Sequence, residues 1–487
     1  MKKTVSVLVF SLFALALIGA NGVVENQNAF YENLQNKVQP QEITQSAGAT
    51  TVSNDRKIEE NMSKLTRLYK YLEQNYLWEI DHDKTYEAMA EALFNSLGDK
   101  YTYFVKAENT DIYTESMMGK YGGLGFYFSK TYKEYQEEKD LSTIYCVLSQ
   151  VFPNTPASRC GLQAGDLITA IDGENTAELS ANDCSSKMKG DVGTSVTLTI
   201  LRNGSTFDVT MTREKITVPS VVSEMLENNI GYLQILQFYD ATAADISKAI
   251  TDLMNNGMRG LIIDLRNNPG GDVSAAITIA DMFISDSDLL TIKYKHPEKN
   301  NTYRADLGVK VPTRIRVAIL INGNSASSSE IFSSAMRDNG RAVLVGTKTY
   351  GKGIMQAVSS FGDAEISVTV ASFVPPSGEE IHKKGVEPDI LVPNPVVKEE
   401  EMEAYMELVS GNLIKDYVAA NPQYTRENVL NFIRENPDTG VSDEIVCLLV
   451  RNVYLSKMIY ADQPKVDTWF DPQVAAALEY IKEGLVL

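Results

Sequence analysis

The sequence predicts a multidomain α/β protein: a β-rich module ahead of an α/β core, with helical regions at both ends. Three observations predict it. Between about 218 and 395, strand-like and helix-like segments alternate, the pattern of an α/β core. Between about Tyr121 and Thr212, short β-rich runs are broken by turn signals. Outside these stretches the apolar residues recur at helical spacing. A length of 487 residues accommodates about three folded units at roughly 100–200 residues each.

At the amino end, Lys2 and Lys3 precede an apolar run from Val5 to Ala20, the layout of a secretory signal. Ala20 and Gly22 suit cleavage, and an uncleaved membrane anchor over residues 4–20 is the alternative. The expectation is therefore export, to a periplasmic or other extracytoplasmic space. Residues 21–55, rich in Asn, Gln, Ser and Thr, read as a flexible linker. A helical region is expected over 56–114. Its seam is Ile58, Met62, Leu65, Tyr69, Leu72 and Tyr76. Such a short seam is expected to be the core-facing stripe of a local helix pair, with dimerisation as the other reading. A second helix is expected over Thr85–Leu97 with Asp83 near its N-cap.

The β-rich module is expected over 115–215. Its runs include Val147–Val151, Leu167–Ile171 and Ser195–Leu201, with tight turns at Asp172-Gly173 and Asn203-Gly204. The core over 216–395 has expected strands at Ile230–Leu236, Gly260–Leu265, Val317–Ile321 and Ala342–Val345. Its expected helices are Ala241–Asn255, Ser274–Ile284 and Glu330–Asp338. Residues 396–487 read as helices broken at Asn421-Pro422 and Asp438-Thr439-Gly440, with no visible chemistry.

Composition narrows the function. A formal charge of −19 argues against nucleic acid, whose binding needs clustered cations. Cys146, Cys160, Cys184 and Cys447 match no metal spacing, and whether a disulfide forms is left open. No cofactor or metal is expected.

The chemistry concentrates in VAILINGNSASSSEIFSSAMRDNGRAVLVGTKTYGKGIMQ, from Val317 to Gln356. A buried strand ends at Ile321, and a Gly/Ser turn then brings Ser325, Ser327, Ser328 and Ser329 to a helix start. There the free N–H groups favour developing negative charge. Serines at that place are also common caps. The three histidines, His82, His296 and His382, lie in a helix–helix turn, a charged loop and a solvated turn, so a Ser-His-Asp triad is not expected. A desolvated lysine can activate serine instead. Lys352, between Gly351 and Gly353 in a tight turn, suits that role, with the Gln356 amide four residues on. Gly346–Gly353 nearly spells a phosphate-binding loop but has Gly353 where a hydroxyl is required, so a nucleotide is not an expected ligand.

Ser-Ala-Ser-Ser-Ser-Glu (325–330), Arg341-Ala342 and Thr349-Tyr-Gly-Lys-Gly353 together resemble the carboxyl-terminal processing peptidases, also called tail-specific proteases. The resemblance runs from about Thr85 to Val392. It implies a serine-type endopeptidase with Ser327 as nucleophile, Lys352 as general base and Gln356 as the amide that holds the lysine. Asp264-Leu-Arg-Asn-Asn-Pro-Gly-Gly271 is similar to the family's strand-end glycine motif. It implies an oxyanion-hole amide at Gly270 or Gly271, with the N–H of Ser328 as companion. VPPSGEEIHKKGVEPDI (374–390) resembles the closing motif, in which the residue matching His382 is not catalytic. Ser328 departs from the pattern, where alanine is more usual, so the hydroxyls compete for the nucleophile's role.

The glycines in Gly122-Gly123-Leu124-Gly125-Phe126 let consecutive N–H groups form a nest for a carboxylate. With Ser149–Ala157 and Gly161–Asp166, the stretch resembles a bacterial PDZ domain inserted before the protease core. That implies capture of apolar C-terminal tails at Gly123, Leu124, Gly125 and Phe126, with Met188 nearby. The partners implied are protein or peptide substrates with such tails. The helical ends suggest a homodimer or an adaptor surface, and neither is preferred. A purely binding adaptor is the alternative to the active protease, and the intact Ser, Lys and Gln set argues against it.

Overall fold

The computed structural model describes residues 49–110, 119–130, 141–152, 154–202, 204–217, 219–306, 308–458 and 462–485. The expected signal and most of the expected linker lie outside them. The described residues form two compact units, 49–110 with 356–369, and 119–355 with 370–485.

The smaller unit opens with helix α1 (Ala49–Asn75), which begins inside the stretch expected to be linker. Local pairing such as Arg56 Nε to Glu60 Oε1 at 3.1 Å supports its polar face. The expected seam is not buried: Ile58, Met62, Leu65, Leu72 and Tyr76 are all exposed. Only Tyr69 is half-covered, its hydroxyl 2.7 Å from His82 Nδ1. Helix α2 (His82–Asn95) is capped by Asp81, not Asp83, because the Asp81 side chain accepts the Lys84 N–H at 3.1 Å. Strand β1 (Tyr103–Val105) pairs antiparallel with Glu365–Ser367.

The larger unit starts with the β-rich module. Its strands are β2 (Tyr121–Gly123), β3 (Phe126–Ser129), β4 (Cys146–Val151), β5 (Leu167–Ile171), β6 (Glu174–Asn175), β7 (Ser195–Arg202), β8 (Ser205–Thr212) and β9 (Glu214–Ile216). The sheet runs β3-β4-β5-β7-β8 with β6 on β5, and β2 pairs separately with β9. Alternation drives the packing: Val196, Leu198 and Ile200 of β7 point inward beside Leu124, Leu148, Ile168 and Met188. Helix α3 (Ala181–Met188) covers this core. Ser180 Oγ accepts the Asp183 N–H and Asp183 Oδ2 accepts the Ser180 N–H, both at 3.1 Å, which satisfies two donors at its start.

The core is a six-stranded sheet with helices on both faces. In chain order its elements are β10 (Val221–Leu226), β11 (Ile230–Ile235), α4 (Thr242–Asn255), β12 (Gly260–Asp264), α5 (Val273–Asp281), β13 (Asp288–Tyr294), β14 (Asn301–Arg304), β15 (Arg316–Ile321), α6 (Ser328–Asp338), β16 (Val343–Gly346) and β19 (Ile390–Leu391); of β17 (Ile354–Phe361) and β18 (Ala364–Val374), residues 356–369 belong to the smaller unit. The sheet order is β10-β11-β12-β15-β16-β19, parallel except for β10. The hairpin β13–β14 pairs with Ala371–Val374 of β18.

Period-two alternation assigns the two faces. Leu233, Ile235, Leu261, Ile263, Val317, Ile319 and Leu344 pack against α4, α5 and α6. Tyr232, Ile262, Ala318, Leu320 and Val345 face the other way. Full burial of each such aliphatic side chain stabilises by roughly 1.5–3 kcal/mol, so strands buried on both faces read as continuous apolar runs.

The expected C-terminal helical region splits in two. Helices α7 (Met402–Ser410), α8 (Leu413–Ala420), α9 (Arg426–Glu435) and α10 (Asp443–Lys457) enclose their own core around Phe432, Val450 and Tyr454. The last helix, α11 (Pro472–Glu483), lays Val474, Ala477 and Ile481 on the second face of the central sheet. Nothing in its local pattern marks that destination.

Candidate active site

In an open parallel sheet, loops at the carboxyl ends of the strands converge, and ligands bind there. Here three adjacent strands, β12, β15 and β16, send out the loops 265–272, 322–327 and 347–353. These carry the glycine motif, the serines and Lys352.

The loops are stitched by main-chain groups. Asn268, fully buried, donates its amide to Ile235 O at 2.7 Å and accepts the Gly270 N–H on Oδ1 at 2.9 Å. Its carbonyl accepts the Ala326 N–H at 3.0 Å, which ties the glycine loop to the serine loop. Tyr350 N donates to Ser325 O at 3.0 Å and joins the third loop.

The serines separate by what their hydroxyls do. Ser325 Oγ donates to Leu265 O at 2.8 Å, Ser328 Oγ to Gly271 O at 2.8 Å, and Ser329 Oγ to Asn268 O at 3.0 Å. Those three staple the loops. Among the described residues the Ser327 hydroxyl makes no hydrogen bond. Its backbone is also unusual, with φ 55° and ψ −114° at the N-cap of α6. A non-glycine residue held there is strained by about 1–3 kcal/mol, and such strain gathers at functional sites.

What holds Ser327 in that state is Glu330, a residue whose role sequence reasoning missed. Its fully buried carboxylate accepts four hydrogen bonds. Oε2 takes the N–H groups of Ser327 and Lys352, each at 2.8 Å. Oε1 takes the Thr349 hydroxyl at 2.5 Å and the Gly351 N–H at 2.7 Å. The backbone nitrogens of Ser327 and Lys352 are therefore separated by at most twice the Oε2 distance. The spacing Ser327-x-x-Glu330 was a visible signal, since Glu at the third helical position returns to the N-cap N–H. Its further reach to the Lys352 turn was not visible. Gly351, at φ 90°, and Gly353, where an added Cβ would lie 2.5 Å from His382 N, make the turn tight enough to fit.

Gly270, at φ 99°, lies against the nucleophile loop: a Cβ there would sit 2.6 Å from Ala326 O and 2.7 Å from Ser327 Cβ. Its own N–H is taken by Asn268. The N–H groups of Gly271 and Ser328 have no acceptor among the described residues. Gln356 belongs to the smaller unit, where its Nε2 donates to Thr369 Oγ1 at 3.2 Å and Thr369 Oγ1 donates to Asp99 Oδ2 at 2.6 Å. No histidine bonds Ser327 among the described residues. Gly353 leads into β17, a strand, so no helix N-terminus follows the near-phosphate loop.

In the β-rich module, Leu124 and Gly125 turn their carbonyls inward. Leu124 O accepts the Ala157 N–H at 3.0 Å, and Gly125 O accepts the Phe152 N–H at 2.9 Å. Their N–H groups have no acceptor among the described residues, as a carboxylate nest requires. Gly125, at φ 88°, sits against the Thr155 side chain, while Leu124, Phe126 and Met188 share the module's buried core.

Residues 229–392 match the peptidase family S41 pattern, and residues 147–202 match the PDZ domain pattern. The carboxy-terminal processing protease CtpA of Bacillus subtilis is 31% identical over 67% of this chain and 68% of its own length. The chain belongs to peptidase family S41. A probable CtpA-like serine protease of Staphylococcus epidermidis is 30% identical, with 69% of this chain covered. The chain spans 66% of that relative's length. Among solved structures, the photosystem II D1 C-terminal processing protease is 26% identical over 67% of this chain and 86% of its own, with a TM-score of 0.40. The S41 core thus follows a PDZ module, with helices at both termini of the described chain.

Proposed function

We propose that this chain is an exported serine endopeptidase that captures apolar C-terminal tails through its PDZ module and cleaves peptide bonds with Ser327. One observation carries the reading. Among four clustered serines, only Ser327 combines a strained backbone with an uncommitted hydroxyl, and it shares a carboxylate clamp with Lys352.

The mechanism follows from the parts. Lys352 removes the Ser327 proton as Oγ attacks the substrate carbonyl carbon. The N–H groups of Gly271 and Ser328 receive the developing oxyanion, since they already lack acceptors. Lys352 then returns the proton to the leaving amine, and water hydrolyses the acyl-enzyme. The role of Gln356 in orienting the lysine rests on the family pattern. Upstream, the N–H groups of Leu124 and Gly125 bind the tail carboxylate, and the tail pairs as an added strand.

The test incubates the protein with an unfolded substrate ending in apolar residues, beside Ser327→Ala and Lys352→Ala. Cleavage by the parent and silence from both folded variants supports the reading. Cleavage by Ser327→Ala sinks it. Export is tested separately, by fractionating cells that produce the full chain.

A further inference from the structure

The glycine loop that faces Ser327 is anchored from an unexpected quarter. Arg266 is the second residue of that loop, two positions after β12 ends at Asp264. Its guanidinium is largely buried, with 15% of the side chain exposed. Nε and Nη2 grip Asp264, Nη2 reaching Oδ2 at 2.7 Å, and Asp264 Oδ1 also accepts the Arg266 N–H at 2.9 Å. Tyr232 donates to Asp264 Oδ2 at 2.9 Å. The remaining arm, Nη1, crosses to the C-terminal segment. It donates to Asp471 Oδ2 at 2.6 Å and to Gln473 Oε1 at 3.0 Å.

Asp471 is itself fixed, because Oδ1 caps α11 by accepting the N–H groups of Gln473 and Val474 at 2.9 and 3.1 Å. Gln473, fully buried, donates to Val392 O at 2.8 Å beside the edge strand β19. One carboxylate therefore performs two separable tasks: Oδ1 holds a helix, and Oδ2 holds Arg266. Asp264 balances the Arg266 charge by itself, but replacing Oδ2 of Asp471 with an NH2 group sets a donor against the donor Nη1, and an opposed or unmet buried donor is costly. Arg266 then has reason to reorient, and its loop carries Gly270 against Ser327 and the Gly271 N–H.

We propose that Asp471 is a positioning residue for the reaction: through Arg266 it sets the 266–271 loop, so the last helix completes the active site rather than merely covering the sheet. The inference rests on the reading of Ser327 and Gly271 as nucleophile and oxyanion donor. Asp471→Asn is the discriminating variant, since asparagine caps helices as well as aspartate but loses the carboxylate oxygen that accepts from Arg266 Nη1. Asp471→Glu keeps the carboxylate and serves as the rescue.

Two readouts on the full chain separate the possibilities. In hydrogen exchange, Asp471→Asn should accelerate the amides of 265–272 while those of α11 remain protected. In cleavage assays, kcat should fall by about tenfold, equivalent to about 1.4 kcal/mol of barrier, with KM nearly unchanged and with Asp471→Glu recovering part of the loss. Unchanged exchange at 265–272 overturns the proposal whether or not the protein cleaves anything. Faster exchange with full kcat also overturns it, leaving Asp471 a structural anchor only. A parent that never cleaves defeats the peptidase reading instead, and the exchange result still decides whether Asp471 sets the loop.

Discussion

Glu330→Gln tests the carboxylate clamp most directly. The substitution keeps the volume and one oxygen but turns the other into an NH2 group. If that nitrogen takes the Oε2 position, it opposes the N–H groups of both Ser327 and Lys352, which cannot rotate. In the Oε1 position it opposes the Gly351 N–H and the Thr349 hydroxyl, and the hydroxyl can turn. Thr349 Oγ1 already accepts the Val386 N–H at 2.7 Å, which leaves it one lone pair for the new amide. The second orientation therefore wins, and its cost is the Gly351 N–H left without an acceptor and facing another donor. A buried donor in that position costs about 1–3 kcal/mol, and the opposed hydrogens add a comparable amount, so roughly 2–6 kcal/mol in all. Urea unfolding measures that loss. Cleavage should weaken without vanishing, because the retained oxygen still holds Ser327 and Lys352, whereas Glu330→Ala frees both and should be silent. A Gln variant within about 0.5 kcal/mol of the parent, the range of an ordinary surface change, with full activity would refute the clamp.

Further outcomes are expected. Ser327→Gly should raise stability by about 1 kcal/mol by relieving the positive φ while abolishing cleavage; a destabilised Gly variant would contradict the strain. Gly270→Ala should impair both folding and cleavage, since its Cβ would fall 2.6 Å from Ala326 O with φ at 99°; an active, stable variant would show that the loops can part freely. Gly125→Ala, whose Cβ would meet the Thr155 side chain at 2.3 Å, should weaken binding of an apolar-tailed peptide without changing cleavage of a short peptide. Exposed Cys160 should alkylate quickly in the native protein, and Cys146, Cys184 and Cys447 should react only on unfolding, as mass spectrometry would show. Burial pushes the Cys447 thiol up to about 11. The fold thus retains a proton that the unfolded chain releases first, and stability should fall as pH climbs from the ordinary thiol range towards 11. Cys447→Ala should lose that part of the decline.

Much of the molecule was legible before any coordinates. Strand and helix periods depend on neighbours in the chain, so β11, β12, α4 and β15 could be located from the spacing of their own apolar residues. The candidate site was legible for a similar reason: serines after a buried strand and a lysine between two glycines are local patterns, and the structure places both at the carboxyl ends of adjacent strands. Helix termini were less so, because caps are decided by which side chain reaches a free N–H, as Asp81 does in place of Asp83. The exposed seam of α1 was misread, since periodicity shows that a face is apolar but not that anything within the chain covers it.

What the sequence by itself determined is the alternating core, the β-rich module before it and the family motifs that mark the candidate site. Tertiary structure alone decided which serine stands free, because that depends on carbonyls of other loops claiming the hydroxyls of Ser325, Ser328 and Ser329. It also decided that Glu330 binds the Ser327 and Lys352 turns together, and that Asp471 reaches Arg266 from 205 positions away. Such contacts join strand ends that are adjacent only after the sheet has formed. No periodicity or spacing encodes them, since their partners meet through the sheet's hydrogen-bonded order rather than along the chain.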